Sequence, residues 1–181
     1  MKRFLMLLSL CQLGFGCAGP GSDKPPLQAV DSVDLARYLG QWYEIASYPN
    51  RFQRDCTATT ADYSQLPDGA IRVVNRCRKG NPEGPLDEAV GKAEVADAAT
   101  NAKLKVSFFW PFKGNYWIID LDKDYQWAVV GEPGRRYLWI LSRTPTMDDA
   151  LYTAIVARLP AKGYDPKRLQ RTQQKAASGE Y

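Results

Sequence analysis

The sequence predicts an all-β domain: an eight-stranded antiparallel up-and-down barrel with one C-terminal α-helix packed on the outside. Three observations predict it. Short apolar and aromatic runs follow one another at close intervals, with turn residues between them. Helical spacing is clear in only one stretch, between Thr146 and Gly163. The 181 residues, 45% of them hydrophobic, suit one domain with its own core. Eight strands in meander order enclose an interior just wide enough for one small ligand.

The chain opens on "MKRFLMLLSLCQLGFGC". Lys2 and Arg3 precede an apolar run that is short for a bilayer span, so residues 1–16 read as an export signal. "LGFGC" resembles a bacterial lipoprotein cleavage box, which makes Cys17 the lipidated residue; ordinary secretion with cleavage nearby is the alternative. Ala18 stands where an inner-membrane retention signal has Asp. The expected location is therefore the periplasmic face of the outer membrane. Residues 17–32, rich in Gly, Pro and Ser, read as a flexible tether. Its stretch 18–29 would reach ~40 Å when extended. The folded domain is expected over 33–175, with a frayed tail at 176–181.

Strands are expected over 41–48, 57–65, 70–78, 88–96, 103–109, 115–121, 125–131 and 137–142. "LPDG" (66–69) is a hairpin turn, and "ATNA" (99–102), "DLDKD" (120–124) and "GEPGR" (131–135) mark others. Thr146 with Asp149 forms a capping pattern, and Asp148 and Asp149 suit the positive end of the helix dipole. Leu151, Ile155 and Leu159 make one apolar stripe, and Gly163 stops the helix. A last short strand is expected near 169–173.

Composition narrows the function. A net charge of +4 without a basic stripe argues against a nucleic-acid partner. The chain has no His, which removes the usual general base and the commonest metal ligand. No cofactor and no metal are expected. Ten Tyr and five Trp suit an interior built for binding.

Side-chain alternation assigns faces. If Trp42 points inward, so do Glu44, Ala46 and Tyr48. If Arg143 does, so do Leu141, Trp139 and Tyr137. The meander brings Gly40, Trp42 and Arg143 to one end, where the guanidinium can lie on the indole for ~1–2 kcal/mol. A lone Glu44 in an apolar cup would cost several kcal/mol. It is therefore expected to bond to Tyr116 or water, as a ligand anchor or as a buried structural pair.

The opposite end is the mouth. "FFWPF" (108–112) reads there as a packed loop or as a hydrophobic lip for acyl chains or a membrane surface. Arg51, Arg54, Arg76, Arg78, Lys79, Lys113, Arg135 and Arg136 gather towards it, partly offset by Asp55, Glu83, Asp87, Glu88 and Glu132. A basic rim would favour an anionic head group; solvated surface charge is the plain alternative. Cys56 and Cys77 flank the 66–69 turn at nearly equal distances, which predicts a disulfide across one hairpin. A reactive thiol is the competing reading, weakened by the lack of His.

Three stretches carry a family resemblance. "GQWYEIASYPNRF" (40–52) resembles the first lipocalin motif, Gly-x-Trp. "LDKDYQWAVV" (121–130) resembles the second, with Asp122 and Tyr125 spaced apart, and "YLWILSRTP" (137–145) the third. "NAKLKVSFFWPFKGNYWIIDLD" (101–122) is similar to bacterial outer-membrane lipocalins, the group close to apolipoprotein D. The resemblance implies a lipid-anchored binding protein that stores or transports fatty acids or lysophospholipids for envelope maintenance. It also implies a Trp–Arg stack that closes the barrel. Tyr116 and Trp139 are the leading ligand contacts, followed by Phe108, Tyr48, Glu44 and Ile118. An enzyme on the same fold and a filled-core structural lipoprotein are the alternatives. The oligomeric state is open, a homodimer included.

Overall fold

Turn and alternation signals translate into one continuous sheet. In this computed structural model the chain is described over residues 25–175. The export signal, Cys17, the start of the tether and the 176–181 tail lie outside the described residues. A one-turn helix, α1 (Leu35–Tyr38), precedes the barrel, and the Asp34 carboxylate caps it by accepting from the amides of Ala36 and Arg37. The strands are β1 (Gly40–Ser47), β2 (Cys56–Gln65), β3 (Ile71–Lys79), β4 (Leu86–Val95), β5 (Lys103–Phe109), β6 (Phe112–Leu121), β7 (Trp127–Gly131) and β8 (Leu138–Ser142). Helix α2 (Asp149–Arg158) and a two-residue strand, β9 (Gln170–Arg171), follow. Each of the eight main strands pairs antiparallel with its neighbour, and β1 pairs with both β8 and β2, which closes the barrel.

Two apolar layers result. The inner one lies inside the barrel and contains Trp42, Tyr63, Ile71, Val73, Leu104, Ile118, Val130 and Leu141. The outer one lies between the barrel wall and α2 and contains Ile45, Tyr48, Val129, Ile140, Ile155, Leu159 and Tyr164. The stripe expected on α2 supplies Ile155 and Leu159, both fully buried, with Leu151 packed at the edge. The cap differs from expectation. Asp148, not Thr146, is the N-cap, and its carboxylate accepts from the Leu151 amide. Thr146 is held outside the helix, where its carbonyl accepts from the Thr144 hydroxyl.

A bulge in β1 overturns one run of alternation. Glu44 pairs with Leu141, but Ala46 pairs with Ile140, so one residue is extra between them. The inward set becomes Trp42, Glu44 and Ser47. Ala46 and Tyr48 turn outward, against α2 and its following loop. Tyr48, expected in the cup, packs instead on Tyr164 and donates to the Asp165 carbonyl.

The tether is shorter than expected. Leu27 is buried in the outer layer, Val33 in the inner one, and the Val30 amide donates to the Ile118 carbonyl. Residues 25–32 thus lie along the barrel wall, because Leu27 and Val30 find apolar partners there.

At the open end β1 and β2 part, and the C-terminal segment fills the gap. Gln170 and Arg171 pair with Ser47 and Ala46. The Ala58 amide donates to the Gln173 carbonyl, and the Gln174 side chain donates to the carbonyls of Glu44 and Thr59, bridging the two strands.

Candidate functional site: a closed cup with an aromatic mouth

The floor is built first. Gly40 sits at φ +90, a conformation that side chains other than glycine rarely adopt, and lets the chain turn from α1 into β1. Trp42 is fully buried and its indole N–H donates to the Tyr38 carbonyl. The Arg143 guanidinium lies 3.7 Å from the Trp42 ring centroid. It also donates to the carbonyls of Tyr125, Gln41, Arg37 and Tyr38. One cation therefore ties α1, β1 and the β6–β7 turn to β8.

Above the floor sits a cluster of phenols that the sequence reading only half found. The Tyr116 hydroxyl lies 2.7 Å from that of Tyr38 and 3.0 Å from that of Tyr63. Burial raises the pKa of all three, that of Tyr63 to about 12. Tyr38 was hidden in an unexpected helix. Tyr63 was within reach of the alternation argument, two residues beyond inward Ala61 on β2.

The upper interior is not packed solid. Ala61, Val106, Phe108, Tyr116 and Trp139 belong to the inner layer yet keep accessible surface, so they line a cup. Ile118 does not line it: it has no accessible surface and belongs to the packed floor. The Trp139 indole stacks on Tyr137 at 5.9 Å and donates to the Gln53 side chain.

Glu44 is buried, but its partners are not Tyr116. Its carboxylate accepts from Ser47, Gln53 and Thr172. Those residues come from β1, the β1–β2 loop and the C-terminal segment, so Glu44 fastens the mouth together. Sequence carried no signal for Thr172, 128 residues away. A cleft of about 560 Å³ opens beside it, lined by Glu44, Asn50, Arg54, Cys56 and Thr172 among others. Tyr116 and Trp139 are not among its lining residues, but Gln53, which accepts from the Trp139 indole, is.

The mouth is apolar at its most projecting point. Phe109, Trp110 and Phe112 on the β5–β6 hairpin are 77%, 89% and 77% exposed, and Phe52 on the β1–β2 loop is 64% exposed. Only Phe108 of this stretch turns in. The basic rim is smaller than the sequence suggests. Arg76, Lys79, Lys113 and Arg136 pair with Glu88, Asp87, Glu94 and Glu132. Arg135 is buried and donates to the carbonyls of Pro25, Pro133 and Lys162. Arg51 and Arg54, on either side of Phe52, have no carboxylate partner among the described residues. Cys56 and Cys77 form the disulfide that joins β2 to β3 near this end. Among the described residues no three His, Cys, Asp or Glu side chains converge as a metal site.

Residues 33–174 match the family description "Lipocalin-like domain". The chain belongs to the lipocalin family. This lipocalin is 42% identical over 176 residues to outer membrane lipoprotein Blc of Escherichia coli (strain K12), spanning 95% of this chain and 98% of that one. It is 38% identical over 161 residues to temperature-induced lipocalin-1 of Arabidopsis thaliana, covering 84% and 86% of the two chains. Apolipoprotein D of Mus musculus is 30% identical over 160 residues, covering 83% and 81%. Insecticyanin from the tobacco hornworm Manduca sexta superposes on the lipocalin with a TM-score of 0.67 at 20% identity, over 87% of this chain and 89% of that one. The last comparison speaks to the barrel fold alone.

Proposed function

We propose that this lipocalin is an outer-membrane lipoprotein, anchored through Cys17 on the periplasmic face, that binds fatty acids or lysophospholipids in its cup for storage or transport in envelope maintenance. The observation that carries the binding reading is the unpacked upper interior. Phe108, Tyr116 and Trp139 face inward and still keep accessible surface, above a sealed floor. A chain entering there leaves water for apolar and aromatic walls, at roughly 25 cal/mol per Å² buried. Its charged head stays at the mouth, near Arg51 and Arg54. The relatives named outer membrane lipoproteins support the location.

The mouth faces the bilayer in this reading. The described chain begins at Pro25, held by Arg135 beside the β7–β8 turn at the open end. Cys17 lies eight residues earlier, a reach of at most about 28 Å. A mouth-first orientation puts the proposed anchor, the exposed aromatics and the cup opening on one side.

Native mass spectrometry of the chain from Ala18, purified from a bacterial host, tests the binding reading and reads the homodimer question in the same spectrum. A co-purifying fatty acid or lysophospholipid, lost in Trp139→Glu, is the expected result. A folded protein that carries no lipid and takes up no single-chain lipid overturns it.

A further inference from the structure

We propose that the phenol cluster at the bottom of the cup receives a neutral oxygen at the buried tip of the ligand. The preferred occupant is then an amphiphile with a hydroxyl, carbonyl or ether at its far end, rather than a plain methyl-terminated chain. The inference rests on the lipid-binding reading above and names the kind of chain the cup takes.

The argument is a count of donors. Tyr38, Tyr63 and Tyr116 bring three O–H groups, and the cluster contains two hydrogen bonds, Tyr38 to Tyr116 and Tyr63 to Tyr116. However the hydroxyls rotate, two bonds use two donors and one O–H is left over. No other partner for these hydroxyls exists among the described residues. Around them stand Trp42, Val73, Leu104 and Ile118, which accept nothing at the floor. A buried donor without an acceptor is costly, and interiors rarely leave one.

The cluster is also placed to meet a ligand. Tyr38 and Tyr63 are 1% and 5% exposed, whereas Tyr116, between them, keeps surface towards the cup. A chain lying along Phe108 and Trp139 with its head at the mouth points its far end at Tyr116. The phenols are neutral at physiological pH, the more so because burial raises their pKa, so they are donors. The nearest cation, Arg143, lies beyond Trp42 and is engaged by the indole and backbone carbonyls. A carboxylate at the floor would be a buried charge without a counter-charge. A hydroxyl or carbonyl satisfies the spare donor without that cost. A hydroxyl can return its own proton to a phenol oxygen, each of which has lone pairs free.

The test compares two probes by calorimetry on the chain from Ala18, which retains every described residue: dodecanoic acid and its ω-hydroxy derivative. In an ordinary apolar pocket the added hydroxyl weakens binding, because it is desolvated without a partner. Here the ω-hydroxy acid is expected to bind roughly 3- to 10-fold tighter than its parent. In the triple variant Tyr38→Phe, Tyr63→Phe, Tyr116→Phe, which leaves no donor in the cluster, the order reverses. Tyr63→Phe leaves Tyr38 bonded to Tyr116 with one O–H still over, so it keeps the wild-type preference and gives a second reading of the ratio if the triple variant does not fold. Tighter binding of the parent acid to the wild type, the same ratio of Kd values in wild type and triple variant, or a reversed order in Tyr63→Phe overturns this inference and leaves lipid binding intact. If the folded wild type binds neither probe nor any other single-chain lipid, both readings fall.

Discussion

A phenol in the barrel floor does two things: it fills space as an aromatic and it resists ionisation. The second has a measurable consequence. Burial lifts Tyr63 to about 12 and Tyr164, under α2, to about 12, from an ordinary value near 10. Tyr38 and Tyr116 move in the same direction. Below about pH 10 both folded and unfolded chains hold these protons, and stability does not depend on them. Between about 10 and 12 the unfolded chain releases them while the folded chain keeps them, so stability falls as pH rises. Urea midpoints are expected to be insensitive to these groups from pH 8 to about 10, then to drop steeply towards 12. Tyr63→Phe should drop less steeply over that window, since one of the contributing protons is gone. A midpoint that rises with pH there, or an identical slope in the variant, would contradict the assignment.

At the level of elements, the open end depends on a strand that contributes only two paired residues. Gln170 and Arg171 pair with β1, Thr172 reaches Glu44, and Gln174 joins β1 to β2. Removing the side chains that reach across, in Thr172→Val with Gln174→Leu, should free 44–47 and 56–59 to open locally. Hydrogen exchange in those two segments is expected to accelerate at least tenfold, with β6 and β7 unchanged. Uniform acceleration across the barrel would mean that the segment supports the whole fold instead. The same region shows what the sequence conceals. Strand periodicity and turn residues made the meander legible, and the Trp42–Arg143 stack followed from counting strand directions. Alternation then failed at Ile45, because a bulge adds one residue without a glycine or proline to mark it. Tyr48 changed sides as a result. Glu44 kept its side but acquired partners from β9's neighbour and the β1–β2 loop. Those contacts are long-range, and a single sequence has no periodicity that encodes them. Leu27 and Val30 were hidden for another reason: Pro and Gly around them read as tether, while their apolar side chains had a wall to lie on.

The whole molecule is asymmetric along the barrel axis. One end is sealed by Trp42, Arg143 and α1, and its backbone carbonyls are capped by a guanidinium. The other end has the aromatic hairpin, Phe52 between two arginines without carboxylate partners among the described residues, and Pro25, held by Arg135. Aromatic side chains that sit at a membrane interface bury apolar area while arginines stay with the head groups. A barrel that docked sealed end first would leave Phe109, Trp110 and Phe112 in water. Docking mouth first would bury them, and in the proposed function it would shorten a lipid's path from bilayer to cup. The chain from Ala18, which has no acyl anchor, should therefore still bind vesicles that contain anionic lipid. Replacing Phe109, Trp110 and Phe112 together by Ser should weaken that binding at least tenfold. The thermal midpoint should stay nearly unchanged, because these side chains are exposed in the free protein. Trp110 in the wild type should also be quenched by lipids that carry a quencher at shallow depth. Equal vesicle binding by wild type and triple variant would place the membrane contact elsewhere than the aromatic lip.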